Sequence, residues 1–95
     1  LVGGLGVTPG ANVGQNVAVF EAVHGTAPDI AGKGIANPLA VLLSGVLMME
    51  YMGERRVAER IRQAIWTTLE SGTKTGDLGG SANTAAFTQA IIDAL

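Results

Sequence analysis

A short stretch of the chain collects residue types that suit the binding of a nucleoside. His24 can cover an aromatic base or hydrogen-bond to it, and Gly25 lets a ligand lie against the backbone. Pro28 stiffens the segment, so that little entropy is lost when it holds one shape. The Asp29 carboxylate can accept hydrogen bonds from two adjacent ribose hydroxyls, and Asn37 offers a donor and an acceptor to a purine edge. The same residue types also occur in ordinary turn-rich loops, where they only bond to backbone or cap a turn.

The composition narrows the classes of protein to consider. The chain has 95 residues, of which 47% are hydrophobic and 15% are charged, so it is too apolar for a disordered segment. The net charge of −2 gives no electrostatic attraction to nucleic acid or to an anionic membrane. Cysteine is absent, which excludes disulfides and thiolate metal sites. The uncharged and largely apolar run at residues 34–49 is shorter than the ~20 apolar residues that a membrane span needs.

The elements that must position these residues are one strand and three helices. Residues 17–23 are almost wholly apolar and β-branched or aromatic, which predicts a strand buried on both faces. Residues 24–37 contain four glycines and prolines and predict a loop. Helices are predicted over about 38–52, 54–71 and 84–95, the first of them apolar nearly all round.

Several residues have the types that begin and end helices. Asn37 is a good N-cap before Pro38 at the first helical position, and Thr84 is a candidate N-cap for the third helix. Gly53 and Gly72 can end the first two helices in a left-handed conformation. The inward-facing residues of the second and third helices are predicted to be Val57, Ile61, Ala64, Ile65, Thr68, Leu69, Phe87, Ile91 and Leu95.

A single buried strand cannot satisfy its own backbone N–H and C=O groups. We therefore expect its partner strands to come from sequence outside this chain or from another chain, so that the chain is a piece of a larger α/β domain. Residues 1–14 are rich in glycine and are interpreted as loop or strand-edge material. The alternative is a self-contained fold with a partner strand within residues 1–8.

The order of the residues is more specific than their types. The string FEAVHGTAPDIAGKGIANP, preceded by GGLGVTPGANVG and followed by TGDLGGSANTAAF, resembles the isocitrate and isopropylmalate dehydrogenase family over essentially the whole chain. The resemblance implies the C-terminal portion of that family's large α/β domain, with no second domain. It implies that the adenosine half of the coenzyme is bound by His24, Gly25, Thr26, Ala27, Pro28, Asp29 and Ile30, with Asn37 bonded to the adenine.

The coenzyme implied by the resemblance is NAD rather than NADP. NADP-using relatives typically carry Lys and Tyr where this chain has Asp29 and Ile30, and Tyr and Arg where it has Gly76 and Gly80. The Asp29 carboxylate would repel a 2′-phosphate and bond a free 2′-hydroxyl. Asp77, in the TGDLGG loop, would either contact the adenosine region or cap a turn.

The resemblance also implies what this chain does not contain. The catalytic Tyr and Lys, the substrate-binding Arg cluster and the Asp ligands of Mg²⁺ or Mn²⁺ would lie outside it, so that no catalytic or metal-binding residue is assigned here and the 95-residue chain alone is expected to be inactive. The expected partners are a small hydroxy acid, the rest of the same subunit and a second subunit of a homo-oligomer, with no nucleic acid and no membrane. The expected compartment is the cytoplasm, or the mitochondrial matrix in a eukaryote.

The substrate expected from the resemblance is isocitrate, which would be oxidatively decarboxylated to 2-oxoglutarate. Isopropylmalate dehydrogenases more often have Pro and Ser where this chain has Ala22 and Thr26. Isopropylmalate, homoisocitrate and tartrate enzymes remain alternatives. A portion of a non-catalytic, regulatory subunit is another, although His24, Asp29 and Asn37 are all present.

Overall fold

The computed structural model describes residues 9–23 and 27–95. Two strands precede three α-helices, and a short 3₁₀ turn, Gly76–Leu78, lies before the last helix. The strands are β1 (Pro9–Val13) and β2 (Ala18–Ala22), and the helices are α1 (Leu39–Tyr51), α2 (Arg55–Glu70) and α3 (Thr84–Asp93). The chain is therefore α/β, as predicted, and the three helices fall within the ranges expected from the sequence.

The two strands form an antiparallel hairpin, with Pro9 opposite Ala22 and Val13 opposite Ala18. The Gly14 N–H donates to the Val17 carbonyl at 2.7 Å and closes the connection. Pro9 is tolerated because it is the first residue of its strand. The main strand, β2, was predicted, whereas its partner within this chain was not. That partner comes from residues 9–13, whose glycine and proline content is typical of a loop. The alternative of a partner strand within residues 1–8 falls outside the described residues.

The hairpin packs on α1 and is covered only in part. The ring centroids of Phe20 and Tyr51 lie 5.6 Å apart in a tilted arrangement, which joins β2 to the end of α1. Val19 remains 51% exposed, so burial of the strand on both faces is not reached within this chain. The first helix, which is apolar nearly all round, likewise leaves Val41 62% exposed, so that its burial on several sides is not complete within this chain.

The core lies among the three helices. Its fully buried members are Leu39 of α1, Ala64 and Ile65 of α2, and Phe87 and Ile91 of α3. Phe87 has 0% of its surface exposed and is the largest of these side chains. Two residues expected to face inward do not: Leu95 follows the end of α3 and is 52% exposed, and Val57 is 40% exposed. The core packs α3 against α2, and Leu39 at the start of α1 belongs to the same cluster.

The helix ends follow from particular residues. Gly53 and Gly72 have φ angles of 85° and 90°, which are the left-handed conformations predicted for them. After α1 the Gly53 N–H donates to the Glu50 carbonyl and the Glu54 N–H donates to the Met49 carbonyl. These are the two hydrogen bonds of a Schellman motif.

The N-cap predicted for α3 was wrong by one residue. The cap is Asn83, whose Oδ1 accepts from the Ala86 N–H at 2.7 Å. Thr84 is instead the first helical residue. Within residues 9–23 and 27–95, the helices are too short or too polar for any one of them to cross a bilayer.

Candidate functional site

The described part of the loop between β2 and α1 contains two successive tight turns, over residues 27–33. The Ile30 N–H donates to the Ala27 carbonyl at 3.0 Å, and the Lys33 N–H donates to the Ile30 carbonyl at 3.1 Å. Pro28 occupies the second position of the first turn, where its fixed φ is favourable. Asp29 is the third residue of that turn and is exposed to solvent. A carboxylate on a closed, proline-stiffened turn is held out from the protein, where it can receive a ligand.

The backbone at the start of this turn is strained. Ala27 has a φ of 46°, and it is the one non-glycine residue with a positive φ among the described residues. The left-handed conformation costs a residue with a Cβ roughly 1–2 kcal/mol. Such strain is found disproportionately where a ligand is bound, because the surrounding structure must impose it. His24, Gly25 and Thr26, the first three predicted coenzyme residues, lie outside the described residues.

The far end of the loop is held by Asn37. Its Oδ1 accepts from the Leu39 N–H at 2.9 Å and so binds the first residue of α1, but the N-cap position predicted for Asn37 is occupied by Pro38. Pro38, expected to be the first helical residue, lies just before the helix instead. The Asn37 Nδ2 donates to Asp77 Oδ2 at 3.1 Å, across 40 residues of sequence. This contact brings Asp77 to the end of the candidate coenzyme loop, the region in which a contact with adenosine was considered for it.

The first residue of α3 makes two further hydrogen bonds to the same loop. The Thr84 N–H donates to the Gly34 carbonyl at 2.9 Å, and the Thr84 hydroxyl donates to the Ala36 carbonyl. Together with the Asn37–Asp77 bond, these hold residues 34–37 against residues 75–84. Sequence reasoning missed this role of Thr84, for which its place at the start of a helix is the only signal. The loop therefore has an exposed part that carries Asp29 and an anchored base that carries Asn37.

The two glycines considered for coenzyme choice differ in the space around them. A Cβ on Gly76 would meet no atom within 4 Å. A Cβ on Gly80 would fall 2.6 Å from Lys74 Cγ and 2.7 Å from the Lys74 carbonyl carbon, and closer still to the carbonyl oxygen. A larger residue at position 80 would therefore require the Lys74 backbone to shift. No cluster of three or more His, Asp or Glu side chains that could hold a metal ion occurs among the residues that the structure describes.

A comparison with known families decides the relationship of this chain. The family model described as "Isocitrate/isopropylmalate dehydrogenase" matches residues 1–95. The chain belongs to the isocitrate/isopropylmalate dehydrogenase family. The resemblance to this family that was seen in the sequence is thereby confirmed.

Relatives and solved structures agree with this membership. An "Isocitrate/homoisocitrate dehydrogenase" of Thermus thermophilus is 57% identical over all of this chain and 28% of its own length. The mitochondrial "Isocitrate dehydrogenase [NAD] subunit 2" of Kluyveromyces lactis is 56% identical over 98% of this chain and 26% of its own length. The crystal structure of isocitrate dehydrogenase from Methylococcus capsulatus, 48% identical, superposes on 97% of this chain and 28% of that chain with a TM-score of 0.93.

The coverage of these matches is one-sided. The chain is matched almost completely, whereas it spans only 25–28% of the length of the curated relatives and 20–28% of that of the solved structures. In the solved structure the same arrangement of hairpin, loop and helices is accompanied by further chain. Val19 of β2 and Val41 of α1 are exposed in this chain, and exposed apolar side chains of this kind are often covered by further protein.

Proposed function

We propose that this chain is part of an NAD-dependent oxidoreductase that oxidatively decarboxylates isocitrate to 2-oxoglutarate, and that it supplies the loop that binds the adenosine of the coenzyme. It would be the C-terminal piece of the large α/β domain, completed by the rest of the subunit in an oligomer. The observation that carries the proposal is the exposed Asp29 carboxylate on a closed turn. This turn belongs to a loop whose other end is anchored through Asn37.

Asp29 supports NAD over NADP on grounds of charge. Two carboxylate oxygens can each accept a hydrogen bond from one hydroxyl of the adenosine ribose. A 2′-phosphate carries about two negative charges, and the Asp29 carboxylate would repel it because a carboxylate can only accept hydrogen bonds. The described part of the loop contains one cation, Lys33, on the second turn. The names of two relatives, "[NAD] subunit 2" in Kluyveromyces lactis and in Saccharomyces cerevisiae, agree with this choice.

The chemical step is assigned to groups outside this chain. When bound, NAD would supply an acceptor for the hydride of the hydroxyl carbon, and a divalent metal would supply a Lewis acid for the decarboxylation. The described residues offer no carboxylate cluster for Mg²⁺ or Mn²⁺, so that its ligands are proposed to lie elsewhere in the protein. The role of this chain is to bind and orient the coenzyme. The turn is formed by residues 27–30, and Asn37 holds the far end of the loop.

Steady-state kinetics on the full-length protein that contains this chain test the proposal. We expect kcat/KM to favour NAD, and D29A to lower kcat/KM for NAD about tenfold or more, as for loss of a charged hydrogen-bond acceptor. D93A removes an exposed carboxylate at the end of α3 and is expected to leave coenzyme use unchanged. Preference for NADP, or equal behaviour of D29A and D93A, would show that the loop has been assigned the wrong role.

The substrate is tested in the same assay. Isocitrate, homoisocitrate and 3-isopropylmalate are compared at saturating NAD, and isocitrate is expected to give the highest kcat/KM. Homoisocitrate is the second candidate because the Thermus relative carries both names. A protein that binds NAD but turns over none of the three acids would favour the regulatory-subunit alternative.

A further inference from the structure

Asp77 makes two hydrogen bonds within the chain, one through each carboxylate oxygen. Oδ1 accepts from the hydroxyl of Thr75, and Oδ2 accepts from Nδ2 of Asn37. Thr75 is completely buried, with 0% exposure, so that its hydroxyl is a fixed donor. The Asp77 carboxylate is therefore oriented from behind by a buried group and presents its second oxygen to Asn37.

The Asn37 amide is held on both sides. Leu39 offers an N–H, which only the oxygen of the amide can accept, and Asp77 offers an acceptor, which only the amide nitrogen can satisfy. The two partners therefore define one orientation of the amide plane. One N–H of Nδ2 and one lone pair of Oδ1 are left, at fixed positions on a half-buried side chain.

We propose that Asp77 is a positioning residue for the coenzyme, acting through Asn37 on the adenine ring. The inference rests on the proposed function, because it supposes that Asn37 meets the adenine edge. An amide held in advance loses no rotamer entropy when the ligand binds, whereas a free Asn must be ordered at that moment. Asp77 is thus expected to govern coenzyme affinity and to have little influence on the chemical step.

A double-mutant cycle on the full-length enzyme tests this coupling. D77A is expected to raise KM for NAD about three- to tenfold, the effect of one hydrogen bond, while kcat changes by less than about twofold. In an N37A background the same substitution is expected to change KM by less than about twofold, because the group through which it acts is gone.

Two further variants separate positioning from a general loss of structure. D77N keeps an oxygen for the Asn37 amide, so that its KM should lie between those of wild type and D77A. D93A is the matched control: Asp93 likewise accepts from a side-chain amide, that of Gln89 at 2.9 Å, and its loss should leave KM for NAD unchanged. If D77A does not fold, T75V removes the hydroxyl that orients the carboxylate, and its smaller KM effect should also vanish with N37A.

The outcomes distinguish this inference from the proposed function. If D77A, or T75V in its place, raises KM for NAD equally with and without Asn37, Asp77 acts on the coenzyme directly and the inference is wrong. It is also wrong if neither variant changes KM. If the wild-type enzyme uses NAD and D29A weakens that use, those results leave the proposed function standing. A wild-type enzyme indifferent to NAD would instead overturn both.

Discussion

Replacement of Gly80 by alanine should loosen the segment that carries Asp77. The new Cβ would lie 2.6 Å from Lys74 Cγ and 2.7 Å from the Lys74 carbonyl carbon, where carbon atoms normally stay about 3.5–4.0 Å apart. The flexible Lys74 stem can move, but its backbone cannot move freely, because the Lys74 carbonyl accepts the Ala82 N–H at 3.0 Å. The clash must therefore be relieved by separating the two backbone segments.

The magnitude follows from three contributions. Overpacking costs about 1–3 kcal/mol, and loss of the Lys74–Ala82 hydrogen bond about 0.5–1.5 kcal/mol. The lower entropy of the unfolded chain with alanine offsets about 0.4–1 kcal/mol. We expect G80A to lower the free energy of unfolding of the full-length protein by about 2 kcal/mol and to raise KM for NAD, since Asp77 lies in the same segment.

Urea unfolding of the full-length protein, with G76A as the matched control, checks this prediction. A Cβ on Gly76 meets no atom within 4 Å, so that G76A should be neutral or stabilising by about 0.4–1 kcal/mol. The midpoint for G80A should fall without a change in the slope of the transition. A G80A protein as stable as G76A would refute the steric reasoning.

Two predictions concern the packing and capping of α3. F87A should lower the free energy of unfolding by about 3–5 kcal/mol because the ring is 0% exposed, whereas L95A, at a side chain 52% exposed, should change it by less than about 0.5 kcal/mol; thermal unfolding checks both, and equal effects would contradict the assigned core. N83A should cost about 1 kcal/mol because the Ala86 N–H loses its 2.7 Å acceptor. Full retention of the wild-type melting temperature by N83A would show that this cap contributes nothing.

The helices could be predicted from the sequence because their ends depend on local chemistry. Gly53 and Gly72 end their helices in the left-handed conformation that glycine adopts without strain. The bond from the Leu39 N–H to the Asn37 side chain likewise lies within two residues of sequence, although the N-cap position itself is Pro38. The N-cap of α3 was predicted one residue too late because Asn83 and Thr84 are both good capping residues. Only the backbone shows that Asn83 is still extended and that the helix begins at Thr84.

The first strand and the anchoring of the loop could not be predicted in this way. The sequence of β1, PGANV, has low intrinsic preference for a strand, and its pairing with β2 overrides that preference. The bond between Asn37 and Asp77 joins residues 40 apart, and nothing in either local sequence specifies the other. Such contacts depend on how α3 packs against the other helices, which periodicity does not determine.

The Asp29 carboxylate is proposed to bind the ribose diol of NAD. A crystal structure of the full-length protein with NAD bound would show this contact. We expect both ribose hydroxyls to lie within about 2.5–3.0 Å of Asp29 oxygens, with the adenine against Asn37. An Asp29 carboxylate directed away from the ribose, with the adenine bound elsewhere, would contradict the account.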